Sequence, residues 1–213
     1  MTTFAVCVPW RGGVPSREAI WAQVQTGLAR EGYTVCVGDS DPDLPFNLCQ
    51  ARNRAAVMAG DVDVLVFNDA DTYIPPAQLR EAVRMAAEDE SLVQPYTRFL
   101  SMNPYTGQSV PRVCTGPVMN SGNLAIARAL FERMGGWDER FTDWGWEDAA
   151  FLGLARAIAP FHAVQGTIVA FEHTRKPEET MEGAVKPDWI EQYKGAAGDP
   201  DRIIADVKAA RRW

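Results

Sequence analysis

Two carboxylates one residue apart, Asp69 and Asp71, follow directly on the apolar run Val64-Leu65-Val66-Phe67. At the end of a buried strand such a pair repels itself unless positive charge lies beside it. A divalent cation supplies that charge, and carboxylate oxygens favour hard ions such as Mg²⁺ or Mn²⁺. The ion could in turn neutralise a diphosphate. The same residues also suit a solvated turn before the helix that Pro75-Pro76 opens. An aspartate-nucleophile phosphatase pattern fits less well, because Tyr73 stands at its fifth position and the pair follows a third strand rather than a first. A second acidic pair, Glu147-Asp148, closes a stretch with three tryptophans, Trp137, Trp144 and Trp146. Indole faces stack on sugar rings and carboxylates accept from sugar hydroxyls. A carboxylate against indole is partly desolvated, which raises its pKa and its use as a base. An aromatic core corner with acids at a helix N-terminus is the alternative. His173 ends an apolar run and precedes Arg175 and Lys176. It could complete a metal shell whose anionic member is a phosphate, or be a surface histidine in a basic turn. Arg52 and Arg54 diverge by ~200° around a helix, so they face different surroundings.

The elements that must position these residues alternate in the first half. Phe4 to Val8 reads as a strand ended by Pro9. Ile20, Val24 and Leu28, with Trp21, form one face of a helix that stops at Gly32. Tyr33 to Val37 is a second strand, 47–59 a helix, and Val62 to Phe67 a third strand interrupted by Asp63. This order implies an α/β fold with a parallel sheet and right-handed crossovers. Ligands bind beyond the carboxyl ends of such strands. Three polar clusters fall there: Pro9-Trp10-Arg11, Gly38-Asp39-Ser40-Asp41 and Asn68-Asp69-Ala70-Asp71. Arg11-Gly12-Gly13 matches neither a dinucleotide-binding nor a Walker A loop. Further on, a helix carries Leu79, Val83 and Met85-Ala86. Residues 91–125 are strand-like but irregular, 128–134 and 147–158 read as helices, and Val164 to Phe171 as a late strand. The segment after His173 is polar and reads as a mobile loop, and 201–212 as a terminal helix.

The chain has 213 residues, 46% hydrophobic and 23% charged, which suits a folded domain and argues against disorder or coiled coil. Its net charge of −7 gives no general attraction for nucleic acid or anionic lipid, so a bound anion needs a local basic site or a metal. No run of ~18 apolar residues suggests membrane insertion. The start of the chain lacks the pattern of a secretory signal. Cys7, Cys36, Cys49 and Cys114 form no CxxC pair and read as buried thiols in a reducing cytoplasm. His162, after Pro160-Phe161, reads as structural.

In this order the clusters resemble the GT-A superfamily of nucleotide-sugar glycosyltransferases. Ala51-Arg52-Asn53-Arg54 through Val64–Phe67 to Asp69-Ala70-Asp71 is similar to the donor half of its inverting synthases. Asn120-Ser121-Gly122-Asn123, Gly135-Gly136-Trp137-Asp138 and Trp144-Gly145-Trp146-Glu147-Asp148 resemble the acceptor half of β-1,4-galactosyltransferases, chondroitin polymerases and polypeptide N-acetylgalactosaminyltransferases. The resemblance implies a GT-A-like single domain over 1–176, with a Rossmann-like, mostly parallel twisted sheet flanked by helices. Its nucleotide-binding half would be 1–75 and its acceptor half 91–176, followed by a mobile loop and C-terminal helix over 177–213. It implies that Pro9, Arg11 and Asp39 border the nucleotide, and that Arg52 approaches base or diphosphate. It places Asp69 near ribose and metal, makes Asp71 and His173 ligands of Mn²⁺ or Mg²⁺, and sets Arg175 and Lys176 behind them. Gly122 would let the backbone approach the donor sugar, and Trp144, Trp146 and Glu147 would meet a glycan or protein acceptor. Asp148 would be the general base of an inverting transfer from a UDP-sugar. Retaining relatives carry Glu-Asn where this chain has Glu147-Asp148, which favours inversion, with retention or a non-catalytic sugar- or nucleotide-binding module as the alternatives. A sugar-1-phosphate nucleotidyltransferase fits less well, since the glycines after Pro9 lack the expected spacing.

Overall fold

A computed structural model describes residues 2–113, 122–173, 187, 190–194 and 199–211. The chain runs β1 (Phe4–Pro9), α1 (Pro15–Arg30), β2 (Val35–Gly38), α2 (Leu48–Met58), β3 (Val64–Phe67), β4 (Thr72–Tyr73) and α3 (Pro76–Asp89). It continues β5 (Leu92–Gln94), β6 (Arg98–Met102), β7 (Ser109–Val113), β8 (Leu124–Ala127), α4 (Arg128–Met134) and α5 (Glu147–Ile158). The last elements are β9 (Phe161–Ala163), β10 (Thr167–Phe171), α6 (Glu191–Lys194) and α7 (Pro200–Ala210).

The main sheet has the order β2-β1-β3-β8-β5-β9. β1 pairs in parallel with both β2 and β3, as alternating strands and helices require. β8 enters antiparallel between β3 and β5, and β9 runs parallel to β5. Strands β1, β3 and β8 are apolar on both faces because helices cover both sides. α1 buries Ile20, Trp21, Val24 and Leu28, the face its spacing predicts. α2 lies so close to β2 that a Cβ on Gly38 would stand 2.1 Å from the Ala51 carbonyl oxygen, so only glycine fits there.

A second sheet, β4-β10-β6-β7, stands beside the first. Its key strand is the two-residue β4, which pairs antiparallel with β10 at Val169↔Tyr73 and Ala170↔Thr72. The sequence reading has β10 as the late strand and β6 and β7 within a strand-like stretch, but it misses β4, since two residues carry no periodicity. Cys7, Cys36 and Cys49 are free and buried, as expected, while Cys114 lies outside the described residues. The C-terminal helix forms over Pro200–Ala210, and residues 174–186, the expected loop, lie outside the described residues.

Candidate active site

The two acids after β3 part company at once. Asn68 is buried and ties the turn, its amide donating to the Asp69 and Thr72 carbonyls at 2.8 and 2.9 Å. The Thr72 N–H donates to the Asp69 carbonyl at 3.0 Å. The chain then enters β4 and is pinned to β10, where the Phe171 N–H donates to the Asp71 carbonyl at 2.8 Å. That pairing carries His173, two residues past β10, to Asp71. Nε2 of the imidazole lies 3.0 Å from Asp71 Oδ2, and the His173 side chain is 7% exposed.

Asp69 turns the other way. Its Oδ1 accepts from Arg52 Nη2 at 3.0 Å and its Oδ2 from the Asn123 amide at 3.0 Å, while its own N–H donates to Asn123 Oδ1 at 2.9 Å. Arg52, on α2, is 1% exposed. Its Nη1 donates to Asp148 Oδ1 at 2.9 Å and lies 3.9 Å from Glu147 Oε1. The guanidinium sits 4.2 Å over the Trp137 ring, which stacks on Phe151 at 3.9 Å. The backbone at Gly122 closes the remaining side, for a Cβ there would lie 1.8 Å from Arg52 Nη2. The space at Gly122 is therefore taken up by an arginine of this chain. Trp137 is wholly buried, so its face belongs to the core and to Arg52, correcting its inclusion among sugar-stacking indoles.

α2 presents an unusual inward face, with Gln50, Arg52 and Asn53 all buried. Asn53 pairs with the Trp137 backbone in both directions at 2.9 Å and donates to Glu139 Oε1 at 2.9 Å. These bonds fasten the loop before α5 onto α2. α5 then starts abruptly, with Gly145 at φ 98° and Trp146 at φ 72°. A left-handed tryptophan is strained by about 1–2 kcal/mol, which the surrounding packing must offset. The strain brings Glu147 and Asp148 into the first helical turn, where the dipole favours acids. Trp144 and Trp146 are half-buried beside them. Burial and the neighbouring Asp148 charge push Glu147 up to about 8, against the pull of Arg52. Burial likewise raises Asp69, to about 6, with Arg52 opposing.

The strand-end clusters of β1 and β2 also meet. Arg11 Nε donates to Asp39 Oδ1 at 2.8 Å, Nη1 to the Leu44 carbonyl at 2.9 Å, and Nη2 to the Asp41 carbonyl at 2.8 Å and Ser40 Oγ at 3.0 Å. Arg11 thus shapes the 39–44 loop, with Pro9 buried at the end of β1. Arg54, expected to diverge from Arg52, donates to the Asp39 carbonyl at 3.2 Å. Arg175 and Lys176 lie outside the described residues, as do Asn120 and Ser121. Sequence reasoning gave no role to Asn123 or Asn53. The available signal was their type: an amide beside an apolar run must find partners if it is buried.

No protein-family model and no curated protein matches the sequence. Solved structures do match. A mutant of Drosophila β-1,4-galactosyltransferase 7, complexed with manganese, UDP-Gal and xylobiose, superposes with a TM-score of 0.61 at 16% identity over 91% of this chain and 80% of that one. The catalytic domain of Drosophila β-1,4-galactosyltransferase 7 with xylobiose gives 0.53 at 18% identity, over 76% and 65%. GalNAc-T7 with UDP, GalNAc and Mn²⁺ gives 0.55 at 12% identity, over 80% of this chain and 44% of that one. The chain has the GT-A glycosyltransferase fold.

On that fold the Asp71–His173 corner can be tested for a hard cation. Two ligands at adjacent corners of an octahedron with ~2.1 Å bonds stand about 3 Å apart, and Asp71 Oδ2 and His173 Nε2 are 3.0 Å apart. One carboxylate oxygen and one imidazole nitrogen form a donor set that manganese accepts. Among the described residues no third acid, histidine or cysteine converges on them. No described helix is long and apolar enough to cross a membrane.

Proposed function

We propose that this chain is a metal-dependent glycosyltransferase that moves a sugar from a UDP-sugar to a hydroxyl acceptor with inversion. The observation that carries the reading is the meeting of Asp71 and His173, 102 positions apart in sequence, at 3.0 Å. Its support is the GT-A fold around them, shared with structures solved with manganese and UDP. Asp71 and His173 would hold Mn²⁺, with Asp69 behind them. The ion, when bound, offsets the negative charge that grows on the leaving diphosphate. Pro9, Arg11 and Asp39 border the nucleotide at the ends of β1 and β2. Arg175 and Lys176, next in sequence after His173, are the basic residues that the family resemblance assigns to the diphosphate.

On the acceptor side, Asp148 Oδ1 is held by Arg52, which leaves Oδ2 to take the proton of the attacking hydroxyl. Glu147, raised by burial, keeps its proton near neutral pH and can donate to an acceptor oxygen. Trp144 and Trp146 offer indole surface to a sugar ring. The acceptor is a glycan or a protein side chain, and the three buried free thiols suit a reducing compartment such as the cytoplasm.

The test is UDP release from a panel of UDP-sugars with Mn²⁺ and mixed acceptors. Asp71→Ala abolishes release while circular dichroism stays unchanged. Undiminished release in that variant refutes the reading, and binding without release in the wild type points to a non-catalytic module. The anomeric configuration of the first product, read by NMR, decides between inversion and retention.

A further inference from the structure

The family resemblance implies that Arg52 approaches the base or diphosphate, yet the structure turns it inward. It is 1% exposed, and both terminal nitrogens are engaged by carboxylates of this chain. Those carboxylates belong to different parts of the site, Asp69 at the end of β3 and Asp148 at the start of α5, 17 and 96 positions from Arg52. Among the described residues no other hydrogen bond reaches the Asp148 carboxylate. We propose that Arg52 is a positioning residue that locks the two halves of the site together, holding Asp69 with one edge of its guanidinium and Asp148 with the other. The role deepens the function proposed above and rests on Asp148 acting as the base.

Three features argue for a built strut rather than an incidental ion pair. The guanidinium is a planar fork, so two carboxylates held by its two ends are fixed relative to each other, which a lysine ammonium cannot do. Its face rests on Trp137, a ring locked by Phe151 and by the Asn53 bonds to its backbone. Its edge fills the place of a side chain at residue 122, so glycine there is the condition for arginine at 52. The turn that ends in Asp71 and the carboxylate that meets the acceptor are thereby set at one distance. With Asp148 Oδ1 fixed by Arg52, Oδ2 would be presented to the acceptor in a single orientation.

A strut and a phosphate ligand make different predictions. Arg52→Lys, Arg52→Met, Gly122→Ala and the double variant Arg52→Met/Gly122→Ala separate them. The affinity for UDP with Mn²⁺, measured by calorimetry, should stay within about threefold of wild type in all four, since no ground-state contact to the nucleotide is lost. Turnover should fall by ~10²-fold, the cost of a base displaced by about 1 Å. Gly122→Ala should reproduce the Arg52→Met defect, and the double variant should be no worse than either. An affinity weakened ~10-fold or more with turnover preserved makes Arg52 a phosphate ligand and overturns the proposal. Multiplying defects in the double variant overturn the link to Gly122. A readout independent of activity comes from urea unfolding of Arg52→Met, Asp148→Asn and their combination, and of the same cycle with Asp69→Asn. Unfolding constants should depart from additivity by ~10-fold or more in both cycles. Additive cycles overturn the strut even if the enzyme is active. A wild-type protein that releases no UDP from any sugar removes the proposed function, and the cycles still decide the strut.

Discussion

Asp69 and Asp71 are two residues apart and of the same type, but the structure gives them opposite surroundings. Asp69 has both carboxylate oxygens occupied, by Arg52 and Asn123, and its backbone N–H is tied to the same asparagine. Asp71 accepts from the neighbouring Thr72 hydroxyl at 3.1 Å through Oδ1 and turns Oδ2 toward His173, in the pose of a pair that a cation could enter. The difference arises from the turn between them and from β4, which rotates the second acid toward the late strand. An acid-x-acid motif at a strand end is therefore two devices in series. The first fastens the turn to the interior, and the second, on the function proposed above, would face the ligand.

Substitution breaks this contrast most sharply at Asp71. Asp71→Ala should lower metal-dependent UDP release by ~10³-fold, the scale of several kcal/mol of transition-state charge stabilisation. It should cost less stability than Asp69→Ala does, because the Asp71 carboxylate is bound to the His173 imidazole and the Thr72 hydroxyl and lies outside the Arg52 ion-pair cluster. Asp69→Ala strips one partner from a buried arginine, a loss of about 3–5 kcal/mol in cases of this kind, measurable by urea unfolding. Equal destabilisation by the two variants erases the distinction. Asn123→Ala should fall between them, since it leaves the Asp69 N–H and one carboxylate oxygen without their partner. A loss of about 1–3 kcal/mol is expected, and Asn123→Asp should be worse, because it sets carboxylate against carboxylate.

Much of this was legible in the chain. The parallel core β2-β1-β3 follows from apolar runs separated by amphipathic helices, and the helix over 147–158 begins and ends where its acids and Pro160 say it should. The strand-end positions of Asp69 and His173 were likewise visible. What could not be read was direction. Nothing in Arg52-Asn53-Arg54 says which residue faces inward, because tertiary packing and not helix periodicity buries Gln50, Arg52 and Asn53 together. The partner of Asp71 was suggested only by resemblance, since the two-residue β4 that brings His173 to it gives no local signal. Trp137 looked like ligand-binding surface because indole chemistry is the same in a core and in a cleft. Only its burial separates the two.

The smallest predicted effect concerns protons on the inner side of the contrast. Arg52 carries one positive charge among three carboxylates, Asp69, Asp148 and Glu147, and Glu147 is the most deeply buried of the three. Burial first and the Asp148 charge second raise Glu147 from its ordinary 4.5 to about 8. The sign follows from linkage. Between those values the folded protein holds a proton that the unfolded chain has released, so stability falls as pH rises. It is greatest below about 4.5 with respect to this group and its loss is complete above about 8. Glu147→Gln carries a neutral group at every pH and should flatten this part of the profile. The melting-temperature difference, variant minus wild type, should therefore increase from pH 6 to pH 9. A difference that stays constant across that range means that Glu147 is already ionised at neutral pH. The arginine would then face three full negative charges, and the inner cluster would resemble the outer one in needing a cation from solution.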